Sequence, residues 1–186
     1  MRRIVDRGAI TAAYVGMGVA VTLALSFLLI IPIEPIYWLL ALPAGMLIGY
    51  YANTKADRRR GPWGRILANG LFSGLVTGLA LAAFLLGIKA LFFYADNGYR
   101  DATAGGTLTC QPGRECAWAR YDADRGAALR AAGISDAATF ERYYWEQQGA
   151  AAGMLIILTT SGGLAGAALY GSSRPKAGRA GESIAA

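Results

Sequence analysis

Four apolar stretches free of Asp, Glu, Lys and Arg set the layout of this chain: Ala9–Ile31, Pro35–Thr54, Ile66–Ile88 and Gly149–Ser173. Crossing a hydrocarbon core of ~30 Å takes roughly 20 helical residues, so each stretch is about long enough to span a bilayer. The pattern predicts an all-α integral membrane protein. Its form is a four-transmembrane-helix bundle with a small disulfide-bearing extracytoplasmic module between the third and fourth helices. Residues 1–94 hold the first three spans and residues 95–148 the module. Residues 149–172 hold the fourth span, and residues 173–186 form a tail whose Gly, Ser and Ala content predicts disorder.

The punctuation between the stretches fits this reading. Pro32-Ile33-Glu34-Pro35 is a very short turn, which forces spans one and two into an antiparallel hairpin. Pro43 lies in the middle of span two and predicts a kink there. Span three begins near Trp63 and continues toward Tyr94, roughly 45 Å at 1.5 Å per residue, so it tilts or projects beyond the bilayer. The first run follows Arg2 and Arg3 as a signal peptide would, but it is long and ends in prolines rather than a small-residue cleavage pattern. It reads as an uncleaved span.

Small residues recur every fourth position in the spans. They are Ala12, Gly16, Ala20 and Ala24 in the first, and Ala41, Gly45 and Gly49 in the second. Gly70, Gly74, Gly78 and Ala82 follow in the third, and Thr159, Gly163, Ala167 and Gly171 in the fourth. A period of four keeps them on one helical face, where they let backbones approach. The Gly70/Gly74/Gly78 face is the predicted helix-packing face. Aromatic residues mark the predicted interfaces: Tyr37/Trp38, Phe92/Phe93/Tyr94 and Tyr143/Tyr144/Trp145 on one side, Tyr50/Tyr51, Trp63 and Tyr170 on the other.

Charge then orients the bundle. The net charge is +6. Arg2, Arg3 and Arg7 against Asp6 precede span one, and Lys55, Arg58, Arg59, Arg60 and Arg65 against Asp57 join spans two and three. Arg174, Lys176 and Arg179 against Glu182 follow span four, and these three segments together carry +8. The long third connection has six Arg against eight acids, a net −2. Basic segments alternate with the spans, so both termini and the connection at residues 53–65 are expected in the cytoplasm, with the module outside a plasma or inner membrane. Basic residues beside a span set topology and touch anionic headgroups, so the Arg-rich connection calls for no nucleic acid. The Ala-, Gly- and Arg-rich composition suggests a bacterial source.

Little chemistry is on offer. The chain has no His and only two Cys. That excludes His-ligated haem, His-based zinc sites and the usual general base. Cys110 and Cys116 flank a Pro112-Gly113 turn on the expected oxidising side, so they are predicted to form a disulfide closing a hairpin between Thr107–Cys110 and Cys116–Ala119. Five intervening residues match neither the C-x-x-C redox spacing nor a zinc knuckle. No phosphate-binding loop, nucleophile elbow or dinucleotide fingerprint is present. No cofactor and no metal or catalytic residue is therefore assigned. Two helices are expected after the hairpin. The first is capped by Asp122 or Asp124 and ends at Gly133, and the second is capped by Ser135. Lys89 is the one basic residue deep in a span, set to snorkel or to pair with Glu34.

A tiny first outer loop and a large disulfide-bearing second one resemble the tetraspanins in outline. The Cys-Cys-Gly motif of that family is missing from the second loop, and no function is carried over. The expected function is a non-enzymatic accessory, assembly or interaction subunit. It sits in the lipid bilayer and presents its module to another membrane protein, or associates as a homo-oligomer. Trp118, Tyr121, Phe140, Tyr143 and Trp145 are the expected partner surface, with inward packing or a headgroup belt as the alternative for these rings. A small oligomeric channel or transporter is the second reading, built on Ser26, Asn69, Ser73, Thr77, Thr159, Thr160 and Ser161. A membrane enzyme at the outer interface, using the module's carboxylates, is the third.

Overall fold

A computed structural model of the chain describes residues 5–30, 34–56, 62–95, 98–101 and 106–173. Helix α1 (Arg7–Ala24) continues as a π-helical segment over Leu25–Ile30. Helix α2 covers Glu34–Lys55, α3 covers Trp63–Tyr94, α4 covers Arg114–Ala131 and α5 covers Ala137–Ser172. Four of these helices (the first with its π segment, α2, α3 and α5) are long and apolar enough to cross a membrane. The π segment has no forewarning in the sequence. It carries Leu28 into the same buried cluster as Tyr37, Leu81 and Leu85. The turn at Pro32-Ile33, Arg58 to Arg60 and the tail from Arg174 onward lie outside the described residues.

The apolar stretches run as helices that no charged residue interrupts, but their ends come from other rules. α2 runs through Pro43 as one helix, with the proline ring exposed. α5 is 36 residues long, about 54 Å at 1.5 Å per residue, so the helix expected after Ser135 and the fourth span are one rod. Its start is a capping box. Asp136 Oδ1 accepts from the Ala138 and Thr139 amides at 2.9 Å, and Thr139 Oγ1 accepts from the Asp136 amide at 3.4 Å. The cap is thus Asp136, one residue beyond the expected Ser135, because Asp136 places its carboxylate under two free amides.

α5 is the central rod, packed most extensively on α3 and then α2, while α1 leans on α3 and α2. Glycine makes this possible. A Cβ added to Gly74 would stand 2.8 Å from the Thr159 carbonyl oxygen and 3.1 Å from Gly163 Cα. A Cβ on Gly78 would stand 2.9 Å from Ile156 Cα, and one on Gly70 would strike Ala167 and the Gly163 carbonyl. The Gly70/Gly74/Gly78 face therefore lies against α5, backbone to backbone. On the other side of α5, Gly162 and Gly166 meet the α2 backbone at Leu42 and Met46.

Between α3 and α4 the chain departs from helix. β1 (Gly98–Asp101) pairs antiparallel with β2 (Gly106–Thr109), Gly98 opposite Thr109. The hairpin expected across Pro112-Gly113 does not form. Cys116–Ala119 is already helical in α4, so the partner of the Thr107–Thr109 strand is the segment before it, not after it. Gly113 has φ +136° and starts α4 at Arg114, ahead of Asp122 and Asp124. Those aspartates instead lie just before a break in the helix, where Arg125 leaves helical geometry at φ −132°, ψ 17°.

Candidate functional site

The sequence-derived candidates gather at the end of the bundle where α3 stops, under a module made of α4 and the first turns of α5. α4 ends in a Schellman turn. Gly133 has φ +80°, its amide donates to Arg130 O at 3.0 Å, and Ile134 N donates to Leu129 O at 2.9 Å. Gly133 closes the helix as its sequence position predicts. The turn also folds Ile134 back beside Leu129, and both are buried. This reversal aims α5 past α4 and brings Phe140 and Tyr144 under it.

The core of the module is aromatic. Phe93 from α3 is buried, stacked 6.2 Å from Phe140 and tilted against Tyr144 at 4.8 Å, ring centre to ring centre. Trp118 and Tyr121 of α4 lie 5.6 and 4.9 Å from the Phe140 ring. Ring pairs at 4.5–7 Å contribute about 0.5–1.5 kcal/mol beyond their burial. For Phe140, expected in the partner surface, this arrangement takes the inward-packing alternative. Phe140 is 1% exposed and has nothing to show a partner. Trp118, Tyr121 and Trp145 are half-buried against the same cluster, and only Tyr143 is exposed. Phe93 and Tyr144, expected in a belt at the membrane surface, belong to this interior as well. Tyr37 is likewise inside the bundle, fully buried, its hydroxyl donating to Leu81 O at 2.7 Å.

Polar contacts lace the seam between module and bundle. The Tyr94 hydroxyl donates to Glu141 Oε1 and accepts from Trp145 Nε1 at 3.1 Å. Arg120 Nη2 donates to Phe92 O at 3.1 Å, and Arg114 Nη1 lies 3.9 Å from Glu141 Oε2. Lys89 Nζ stands 2.7 Å from Glu34 Oε2, the two side chains 23% and 38% exposed. Glu34 begins α2, where a carboxylate also complements the positive helix end. Cys110 and Cys116 lie at disulfide distance, with Cα atoms 5.3 Å apart. Asp136 is held below the ordinary carboxylate range, chiefly by the hydrogen bond from the Thr139 amide.

The residues proposed to line a conducting path are packed instead. Asn69, Ser73, Thr77 and Thr159 are fully buried. The hydroxyls bond back to their own helices: Ser73 to Asn69 O at 2.9 Å, Thr77 to Ser73 O at 2.8 Å and Thr159 to Leu155 O at 2.7 Å. Ser26 and Thr160 are half-buried and Ser161 is exposed. Asn69 has a different role, together with a residue the sequence reading passed over. Its Nδ2 donates to Asp6 Oδ2 at 3.0 Å and to Asn53 Oδ1 at 3.3 Å, and Asn53 Nδ2 donates to Gly49 O and Ile66 O, each at 3.1 Å. These amides tie α1, α2 and α3 at the end opposite the module. An Asn inside an apolar stretch is the signal that could have found Asn53, because a buried amide needs partners on neighbouring helices.

The module's carboxylates are dispersed in the same way. Asp122 pairs with Arg130 at 2.6 Å, Asp124 with Arg125 at 2.9 Å, and Glu141 with Tyr94 and Arg114. Among the described residues no three of His, Cys, Asp or Glu gather as a metal site would need. No family model matches the chain, and no curated protein or solved structure matches it either.

Proposed function

We propose that this is a multi-pass protein of a plasma or inner membrane, with both termini in the cytoplasm, that acts by displaying its α4 module to a protein partner. The reading is carried by one observation. The module has an aromatic core of its own, anchored on the end of α3, and this leaves the far side of α4 exposed at Ala123, Asp124, Arg125 and Ala127. A built, anchored surface is what recognition needs. Catalysis would need converging groups, and Asp122, Asp124 and Glu141 are held by Arg130, Arg125 and Tyr94 in turn. The charge split of +8 against −2 supports the orientation. The Cys110–Cys116 distance supports a disulfide on the oxidising side.

Two measurements test this. A membrane-impermeant thiol reagent, applied to intact cells after reduction, should label Cys110 and Cys116. Labelling only after lysis would reverse the orientation. A photo-crosslinking residue at Ala127, in the full chain in its membrane, should give a discrete protein adduct that the same residue at Leu71, on the exposed face of α3, does not. Absence of that adduct, with selective solute flux through liposomes holding the purified protein, would replace display with transport.

A further inference from the structure

We propose that α4 is a jointed helix, hinged at Arg125 and closed by a latch, the Asp122–Arg130 ion pair, that sets whether the module's apolar interior is covered at Leu129. The joint stands on its own geometry and does not require the display proposed above.

The backbone marks the joint. Arg125 leaves helical geometry in the middle of Arg114–Ala131, and no proline lies within that helix to cause it. The half before the break is seated on the aromatic core by buried Ala117, with Trp118 and Tyr121 packed against the same cluster. The half after it has less to hold it. Ala127, Ala128, Arg130 and Ala131 are exposed, and Leu129 is the one buried side chain among residues 126–131. Ile134 N donates to Leu129 O at 2.9 Å, so these two core residues move together.

The latch crosses the joint. Helix-surface ion pairs ordinarily link residues three or four apart. Asp122 Oδ1 and Arg130 Nη1 meet at 2.6 Å across eight residues, two turns and about 12 Å of helical rise. Gly126 lies beneath them. A Cβ there would strike Asp122 Oδ1 and stand 2.7 Å from Arg130 Nη2, so the missing side chain is what lets carboxylate and guanidinium meet over the break. The other pair at the joint, Asp124 with Arg125, joins neighbours in sequence and braces nothing.

The two partners are unequally accessible. The Arg130 side chain is 57% exposed and that of Asp122 33%, so the guanidinium is the half that a competing anion reaches. With Arg130 drawn off, the second half of α4 keeps only Leu129 on the core. Its swing uncovers Leu129 and Ile134, an apolar patch beside the exposed side of α4, and gives solvent access to Phe140 beneath.

The test is hydrogen exchange of the full chain in detergent micelles, read by mass spectrometry. Asp122→Asn and Arg130→Gln keep size and remove the attraction. Each should raise exchange about threefold at residues 126–131, the scale of a solvent-screened pair, and leave residues 117–121 and α3 as in the parent protein. The double variant should exchange no faster than either single, because one interaction is lost only once. Parent protein in about 1 M salt, where the screening length falls to about 3 Å, should approach the variants. Unchanged exchange in the single variants, effects that multiply in the double, or a parent protein indifferent to salt overturns the latch. Exchange that rises equally at residues 117–121 shows a helix that opens whole and overturns the joint.

Discussion

The seam between α3 and α5 and the core under α4 hold the same helix α5 by opposite means. Along the seam, Gly70, Gly74, Gly78 and Gly163 remove side chains until backbones meet. Under α4, Phe93, Phe140 and Tyr144 fill space with rings, and Trp118 and Tyr121 close over them. The contrast follows from the solvent each region is proposed to meet. In lipid an apolar side chain gains nothing by leaving its surroundings, so helices associate through close packing. In water, burial of apolar area drives folding, at roughly 25 cal/mol per Å², and large rings bury most.

The comparison can be broken at its strongest point by Gly163→Leu. The neighbours of a Cβ there are the Gly70 carbonyl and Gly74 Cα, backbone atoms that no rotamer change can move aside. Overpacking in cores costs about 1–3 kcal/mol where side chains can adjust. Gly163→Leu should exceed that and abolish the cooperative melt in detergent, with Gly74→Leu a milder version. An unchanged melting profile would mean that the seam is not what holds α5.

Phe140→Ala tests the other half. Truncating a buried Phe costs about 3–5 kcal/mol. Hydrogen exchange should rise across α4 and the first turns of α5, with α3 and the Thr159–Ala167 stretch still protected. Loss of protection throughout would show one cooperative unit where two are expected.

At the boundary between them, Lys89→Arg should be tolerated and Lys89→Leu should cost about 1 kcal/mol, the upper range for a partly exposed ion pair. Leu leaves Glu34 without its cation, whereas Arg keeps the charge and the reach. Equal thermal stability of the Leu variant and the parent protein would show that Lys89 does no more than snorkel.

The smallest effect belongs to Asp136. Its folded carboxyl titrates below the ordinary range because two amides bond the ionised form. Its contribution is therefore full above the ordinary carboxylate value, near 4, and is lost as pH falls through the depressed one. Amide protection at the start of α5 should fall with pH in that window, and Asp136→Ala should show the low-pH protection at every pH. A pH-independent parent protein would exclude this cap as the source.

The four long apolar helices were legible in the sequence, because spans are written as uninterrupted runs and need no tertiary information. So was the end of α4, because Gly133 meets a backbone requirement that few other residues satisfy. The Gly70/Gly74/Gly78 face was visible as a period of four, but its neighbour was not, since a small face accepts any helix that comes close. Where the pattern allowed two answers, only the fold decided. Whether Phe140 and Tyr144 face a partner or an interior depended on the direction of α5 after Gly133, which no residue in α5 encodes. Asn69 and Asn53 gain their partners only when α1, α2 and α3 bring Asp6 to Asn69 and Asn69 to Asn53. Glu34 and Lys89 lie 55 positions apart along the chain and became a pair only when α2 and α3 aligned. Local chemistry determines where a helix begins, ends and hides its apolar length. Which of its faces meets which neighbour is a property of all the helices packed together.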